Sequence, residues 1–181
     1  MKNLLLSCLL LLSPIAAAAA EWQADPDDER QVEVQDTIAK FLELHPDLAD
    51  YFDQAWGYAV FPRVMKIVAV FVAAYGKGLV IEQDVLVGRC KQYLGSLGAQ
   101  LGGQSYSQVI LFRNAEVMEV FKRGRVEFNG RASVVAFKAG TAIDPANLPD
   151  IAIFSITRGG LMVEAAAAGV KYSYKPINTD K

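Results

Sequence analysis

One histidine, His45, occurs in the 181 residues. A Ser–His–Asp system would depend on that single ring, and no GxSxG accompanies it. His45 precedes Pro46 at a helix junction, where capping is its expected role. No second histidine, cysteine pair or carboxylate cluster has ligand spacing, so neither a metal site nor a cofactor is expected. Asp47, Asp50 and Asp53 share a helix face at i, i+3 spacing and read as a solvated face. The glycines at Gly98 and Gly102–Gly103 do not form GxGxxG, and no GK[ST] follows, so a nucleotide loop is excluded. Nothing singles out a catalytic residue, and we expect no enzyme activity.

Cysteine is equally scarce. The two cysteines are Cys8 and Cys90. Cys8 lies in a leader-like segment: Lys2 is a short basic start, Leu4–Leu12 an apolar stretch, and Ala18–Ala20 a small-residue cleavage site. We expect a signal peptide over residues 1–20 and an exported, periplasmic or outer-membrane-associated protein. Cys90 would then stand alone, with no intrachain disulfide available. It reads as a buried small apolar residue or as a thiol that pairs between chains.

Basic excess is also lacking. The formal net charge is −2, and loss of Lys2 with the leader makes it −3. No global attraction to nucleic acid follows, and anionic lipid would need a local basic patch. Long apolar runs are short too. Ile67–Tyr75 is nine apolar residues in a row, well under the ~20 that span a bilayer as a helix. A buried strand is the default reading, and insertion of an exposed apolar loop into lipid is the alternative.

Hydrophobic content of 52% supports a core, and the length suits one domain. Residues 21–30 read as a polar linker ending in a helix start, with Asp25 as cap and Pro26 in the first turn. Val34, Ile38, Phe41 and Leu42 recur at helical spacing up to His45. Pro46 opens a short second helix carrying Leu48, Tyr51 and Phe52. A strand over Gly57–Phe61 should stop at Pro62. Gly76-Lys77-Gly78 reads as a turn leading to Leu79–Ile81, and Glu82-Gln83-Asp84 as the next turn. Tyr93–Phe112, rich in glycine at first and β-favouring later, reads as one long curved strand or a tight hairpin. Asn114 caps a helix with Val117, Val120 and Phe121, ending at Gly124 behind Lys122 and Arg123. Residues 125–138 read as β, 140–150 as a loop, Ile151–Ile156 as a strand, and 157–160 as a turn. One strand is expected from Leu161 through the alanines to Pro176, and residues 177–181 form a polar tail. The resulting class is α+β. It consists of a strongly curved antiparallel sheet or partly closed β-barrel, with an N-terminal helical hairpin and one further helix.

Five segments in this order carry a resemblance. They are Trp56–Pro62, Ala74–Gly78, Gly98–Ser107, Arg158–Ala165 and Lys171–Pro176. Together they resemble the SYLF domain over residues 31–176, most closely its exported bacterial members, which are related to the yeast actin-binding SYLF proteins. The resemblance implies a non-catalytic domain that binds phospholipid, phosphoinositide-like or otherwise anionic. Where the family has a glycine-rich stretch, this chain has the glycine-free segment Val64–Ala74, a stiffer and more apolar version. Basic residues beside glycine turns, Arg63, Lys66, Lys77 and Arg158, are the candidate lipid-binding set. Membrane phospholipid is the expected partner. The alternative is an interaction protein of the envelope, with a protein partner on Ile67–Tyr75 or Leu161–Val170.

Overall fold

A computed structural model describes residues 22–68, 71–97, 102–124, 150–157, 160–163 and 170–177. The expected leader, the β segment and loop over 125–149, the alanine stretch 165–168 and the polar tail beyond 177 lie outside these residues.

Helix α1 spans Glu29–Leu44. Its cap is Asp28 rather than Asp25, because the Asp28 carboxylate accepts from the backbone N–H groups of Arg30 and Gln31. Asp25 instead closes the preceding turn through Asp27 and Asp28. Trp22, in the stretch read as a linker, is buried against the same core as Val34, Ile38 and Phe41. Beyond His45 come a 3₁₀ turn at Pro46–Leu48 and helix α2, Ala49–Gln54.

Among the described residues seven strands follow: β1 Gly57–Val68, β2 Phe71–Glu82, β3 Val85–Leu97, β4 Gly102–Phe112, β5 Ile151–Thr157, β6 Gly160–Val163 and β7 Val170–Pro176. Helix α3, Ala115–Lys122, lies between β4 and β5 and is capped by the Asn114 side chain on Val117 N–H, as expected. The strands form one antiparallel sheet in the order β6-β5-β4-β1-β2-β3-β7. Its two ends, β6 and β7, do not pair with each other among the described residues. The α+β class holds, and the partly closed barrel gives way to an open sheet. The expected single strand from Leu161 to Pro176 is in fact two strands at opposite edges.

The sheet is covered on both faces, which is why several strands read as continuous apolar runs. One face packs Tyr58, Val60, Leu79, Ile81, Leu111 and Phe154 beneath α1 and α2. The other packs Phe61, Val80, Ile110, Phe112 and Ile153 against Met118 and Phe121 of α3. Strand β5 contributes to both, and residues 151–156 are all buried.

Three turn readings change. Pro62 does not stop β1; the strand passes through it by a bulge. Gly76-Lys77-Gly78 is not a turn but the middle of β2. A Cβ on Gly78 would lie 2.2 Å from the Val60 carbonyl oxygen, so glycine here is demanded by strand contact. Ile67–Tyr75 is not a buried strand but the tip region of the β1–β2 hairpin, with Ile67 opposite Ala73. The turn at Gln83–Asp84 is where it was expected, and both residues take positive φ, 46° and 61°, as two-residue hairpin turns require. Tyr93–Phe112 is neither one strand nor a hairpin: β3 ends at Leu97, β4 begins at Gly102, and β1 and β2 lie between them in the sheet.

Candidate functional site

The site begins with the bulge in β1. Val60 pairs with Leu79, but the next partners are Arg63 and Lys77. One extra residue, at Pro62, reverses the parity of everything that follows, because successive side chains alternate between faces. Val64 therefore enters the α3-side core, fully buried, while Arg63, Met65 and Ile67 take the α1 face. That face continues past the helices' cover towards the hairpin tips, so those side chains meet solvent.

The register then arranges this face in rows about 7 Å apart. Nearest the helices, Arg89 on β3 stands between Leu79 and Lys175. In the next row Arg63, Lys77, Lys91 and Ser173 lie side by side across β1, β2, β3 and β7. Further towards the tips come Met65, Tyr75, Tyr93 and Lys171. Ile67 lies in the row beyond, opposite Ala73 and Gly103. The apolar members are uncovered: Met65 is 56% exposed, Ile67 58%, Tyr75 41% and Tyr93 41%. Tyr75 and Tyr93 contact each other, with ring centroids 5.4 Å apart.

Three cross-strand pairs on this face join like charges: Arg63 with Lys77, Lys77 with Lys91, and Arg89 with Lys175. Like charges directly opposite each other destabilise a sheet. The two ion pairs seen among the described residues belong to Lys122, and neither involves these cations. The arrangement costs stability, and among the described residues these cations have no carboxylate in ion-pair contact.

At the far end of the sheet Lys122, in the last turn of α3, is held by acidic partners. Lys122 binds Glu82, whose other oxygen accepts from the Trp56 indole, and also Glu119. Partial burial pushes Glu82 up, but the Lys122 ammonium and the Trp56 N–H outweigh it and hold the carboxyl below its ordinary value. Burial likewise pulls Lys122 down, while Glu82 and Glu119 raise it overall. Cys90 is buried and its thiol is pushed well above the ordinary value by desolvation.

Of the four candidate residues, Arg63 and Lys77 come together as direct neighbours. Lys66 lies on the other face, opposite Ala74 and Gln104, and is half-buried. Arg158 lies outside the described residues. The reading by glycine turns missed Arg89, Lys91 and Lys175, and with them the aromatic pair. Their signal was present as period-2 alternation, in Arg89-Cys90-Lys91-Gln92-Tyr93 and Lys171-Tyr172-Ser173-Tyr174-Lys175.

The family model described as "Las17-binding protein actin regulator" (Ysc84) matches residues 94–175. Beta cell expansion factor A of Aeromonas veronii is 31% identical over 138 residues, 75% of this chain. The chain belongs to the SYLF (Ysc84) family. It spans about half the length of that relative, 52%. The residues matched by the SYLF model run from the end of β3 into β7, so they include Lys171 and Lys175. They leave out the β1–β2 hairpin, with Arg63, Met65, Lys77 and Tyr75, as well as Arg89, Lys91 and Tyr93.

Proposed function

We propose that this protein is a non-catalytic module of the bacterial cell envelope that binds anionic phospholipid surfaces. It is exported by its leader and works at the membrane without a cofactor. The observation that carries this reading is the order of rows on one face of the sheet. An uncovered apolar and tyrosine row lies towards the hairpin tips, and a row of three cations lies about 7 Å behind it.

That order follows the depth profile of a membrane surface. Apolar side chains favour the acyl boundary, and tyrosines favour the headgroup level, where one end of the ring is wet. Cations behind them meet the negative surface, each contributing about 1 kcal/mol. The like-charge pairs that weaken the sheet become favourable when lipid phosphates lie between them. No helix among the described residues is long and apolar enough to cross a membrane, and this reading needs none. The glycine-free tip supports apolar insertion beside headgroup attraction.

A protein partner is the second reading, and the family's description names one for its own members. The cation row beside the apolar one favours lipid for this chain. Co-sedimentation of residues 21–181 with neutral and anionic liposomes tests the choice. Strong binding to anionic vesicles, weakened by salt, is expected. Failure to bind either vesicle, together with concentration-dependent self-association, would favour the protein-partner reading.

A further inference from the structure

The molecule divides its charge between two layers. Residues 22–54, which form the helical layer, hold ten acidic and two basic side chains, a net charge of −8. Along α1, Glu29, Glu33, Asp36 and Glu43 recur at i, i+4, i+7 and i+14, which places them in one stripe of the helix. Val34, Ile38 and Phe41 lie on another side, in the core, and all four acids of the stripe are exposed. Asp47, Asp50 and Asp53, also exposed, extend this acidic surface. The uncovered rows of the sheet are the reverse. They carry Arg63, Lys77, Arg89, Lys91, Lys171 and Lys175, with no carboxylate in them among the described residues.

The two regions lie side by side on one face. Arg89 marks their boundary, because it shares a cleft with Asp27, Glu29 and Glu33 at the start of α1. A helix with its side chains is about 10–12 Å across. The acidic half therefore stands above the basic half as a step. The lengths of the two halves agree. Helix α1 has 16 residues, which is about 24 Å by helical rise. From the Arg89 row through the Lys77 and Tyr75 rows to Ile67 are three row spacings, about 21 Å.

We infer that this stepped face is a docking surface for a second copy of the chain. A two-fold axis between the facing surfaces, along the boundary, lays the acidic half of each copy over the basic half of the other. The contact is self-complementary, as an isologous dimer requires. The acidic stripe of one copy then meets the like-charge pairs of the other, Arg63 with Lys77 and Lys77 with Lys91. Met65, Ile67, Tyr75 and Tyr93 become covered, which removes an exposed apolar patch from water. Leu44, 47% exposed at the last residue of α1, comes to the tip end of the other copy. The whole chain carries a formal net charge of only −2, so overall repulsion opposes the pairing little. This inference goes beyond the membrane reading but uses the same rows, so dimer and vesicle compete for one surface. The dimer is the form that shields the tip until it meets lipid.

Sedimentation equilibrium of the unaltered protein at low and high salt is the first test. A dimer is expected at low salt, with its dissociation constant rising about tenfold or more at high salt. Charge reversal then identifies the surfaces. Glu33→Lys with Asp36→Lys makes both halves basic, and Lys77→Glu with Lys91→Glu makes both halves acidic. All four positions are exposed, so circular dichroism should show the fold unchanged. Each variant alone should be monomeric, and an equimolar mixture of the two should dimerise again, because both contacts are then attractive. The Glu33→Lys, Asp36→Lys variant should also bind anionic vesicles at least as tightly as the unaltered protein, since no second copy hides its cations. A monomer at every concentration in low salt would overturn the dimer, and vesicle binding by that monomer would leave the membrane reading standing. A dimer that neither variant weakens, or variants that stay monomeric when mixed, would overturn this pairing of halves. Restored dimers from the mixture, with no vesicle binding by any form, would keep the dimer and sink the membrane reading.

Discussion

Arg63 and Lys77 stand directly opposite each other on β1 and β2, two cations in a position where a sheet favours opposite charges. The bulge at Pro62 puts them there. Without the extra residue Arg63 would point to the α3 side, and no row of cations would cross the strands. A feature that lowers stability and is built by a specific backbone irregularity is best explained by what it binds.

Lys77→Glu separates the two effects. It turns two repulsive cross-strand pairs, with Arg63 and Lys91, into attractive ones. Stability should rise by roughly 0.5 kcal/mol, discounted for exposure, seen as a higher urea midpoint. Binding to anionic vesicles should fall about tenfold in co-sedimentation. A fall in both would mean that Lys77 is a structural residue.

The tips should supply the part of binding that salt does not remove. Met65→Ser with Ile67→Ser replaces two exposed side chains, so stability should change by under about 0.5 kcal/mol. Vesicle binding at high salt should be lost, while low-salt binding to anionic vesicles persists at reduced strength.

Gly78→Ala tests the sheet that positions the site. The new methyl would sit 2.2 Å from the Val60 carbonyl oxygen, and backbone cannot swing aside as a flexible side chain can. Destabilisation of about 3 kcal/mol is expected by chemical denaturation. A loss below 1 kcal/mol would mean that β1 and β2 separate easily here.

The Glu82–Lys122 tie makes stability depend on acid. The folded Glu82 carboxyl titrates below its ordinary value, so its contribution is present above the unfolded value, near 4.5, and is lost as pH falls through the folded one. Thermal melts from pH 6 downward should show that loss. Glu82→Gln should cost about 1 kcal/mol at neutral pH and flatten that part of the profile.

Local chemistry was readable from sequence, and long-range register was not. Asn114 announced α3 because a cap acts within three residues, and Gln83–Asp84 announced its turn because few residue types tolerate positive φ. Asp25 misled because Asp28, three residues on, is an equally good cap. Pro62 read as a stop because proline cannot donate to a ladder. A bulge removes that objection, and nothing local shows that one will form. Gly76 and Gly78 read as a turn, although their small size serves strand packing around Lys77. The nine-residue run at Ile67–Tyr75 hid a hairpin because its turn carries no glycine or proline. The site itself depends on four strands coming into register. Arg89 and Lys91 alternate visibly in sequence, but their alignment with Arg63 and Lys175 exists only in the sheet.

The central claim is that the hairpin-tip end of the α1 face meets the membrane. It is tested most directly by an environment-sensitive dye on Ile67→Cys and, separately, on Val85→Cys. Both positions are exposed, at 58% and 56%, and lie some 30 Å apart along β2 and β3 by strand rise. Cys90 is buried and resists labelling. On adding anionic vesicles, the dye at position 67 should shift to the blue and the dye at position 85 should not. A shift at 85 but not at 67, or at neither while the protein is bound, would contradict the account.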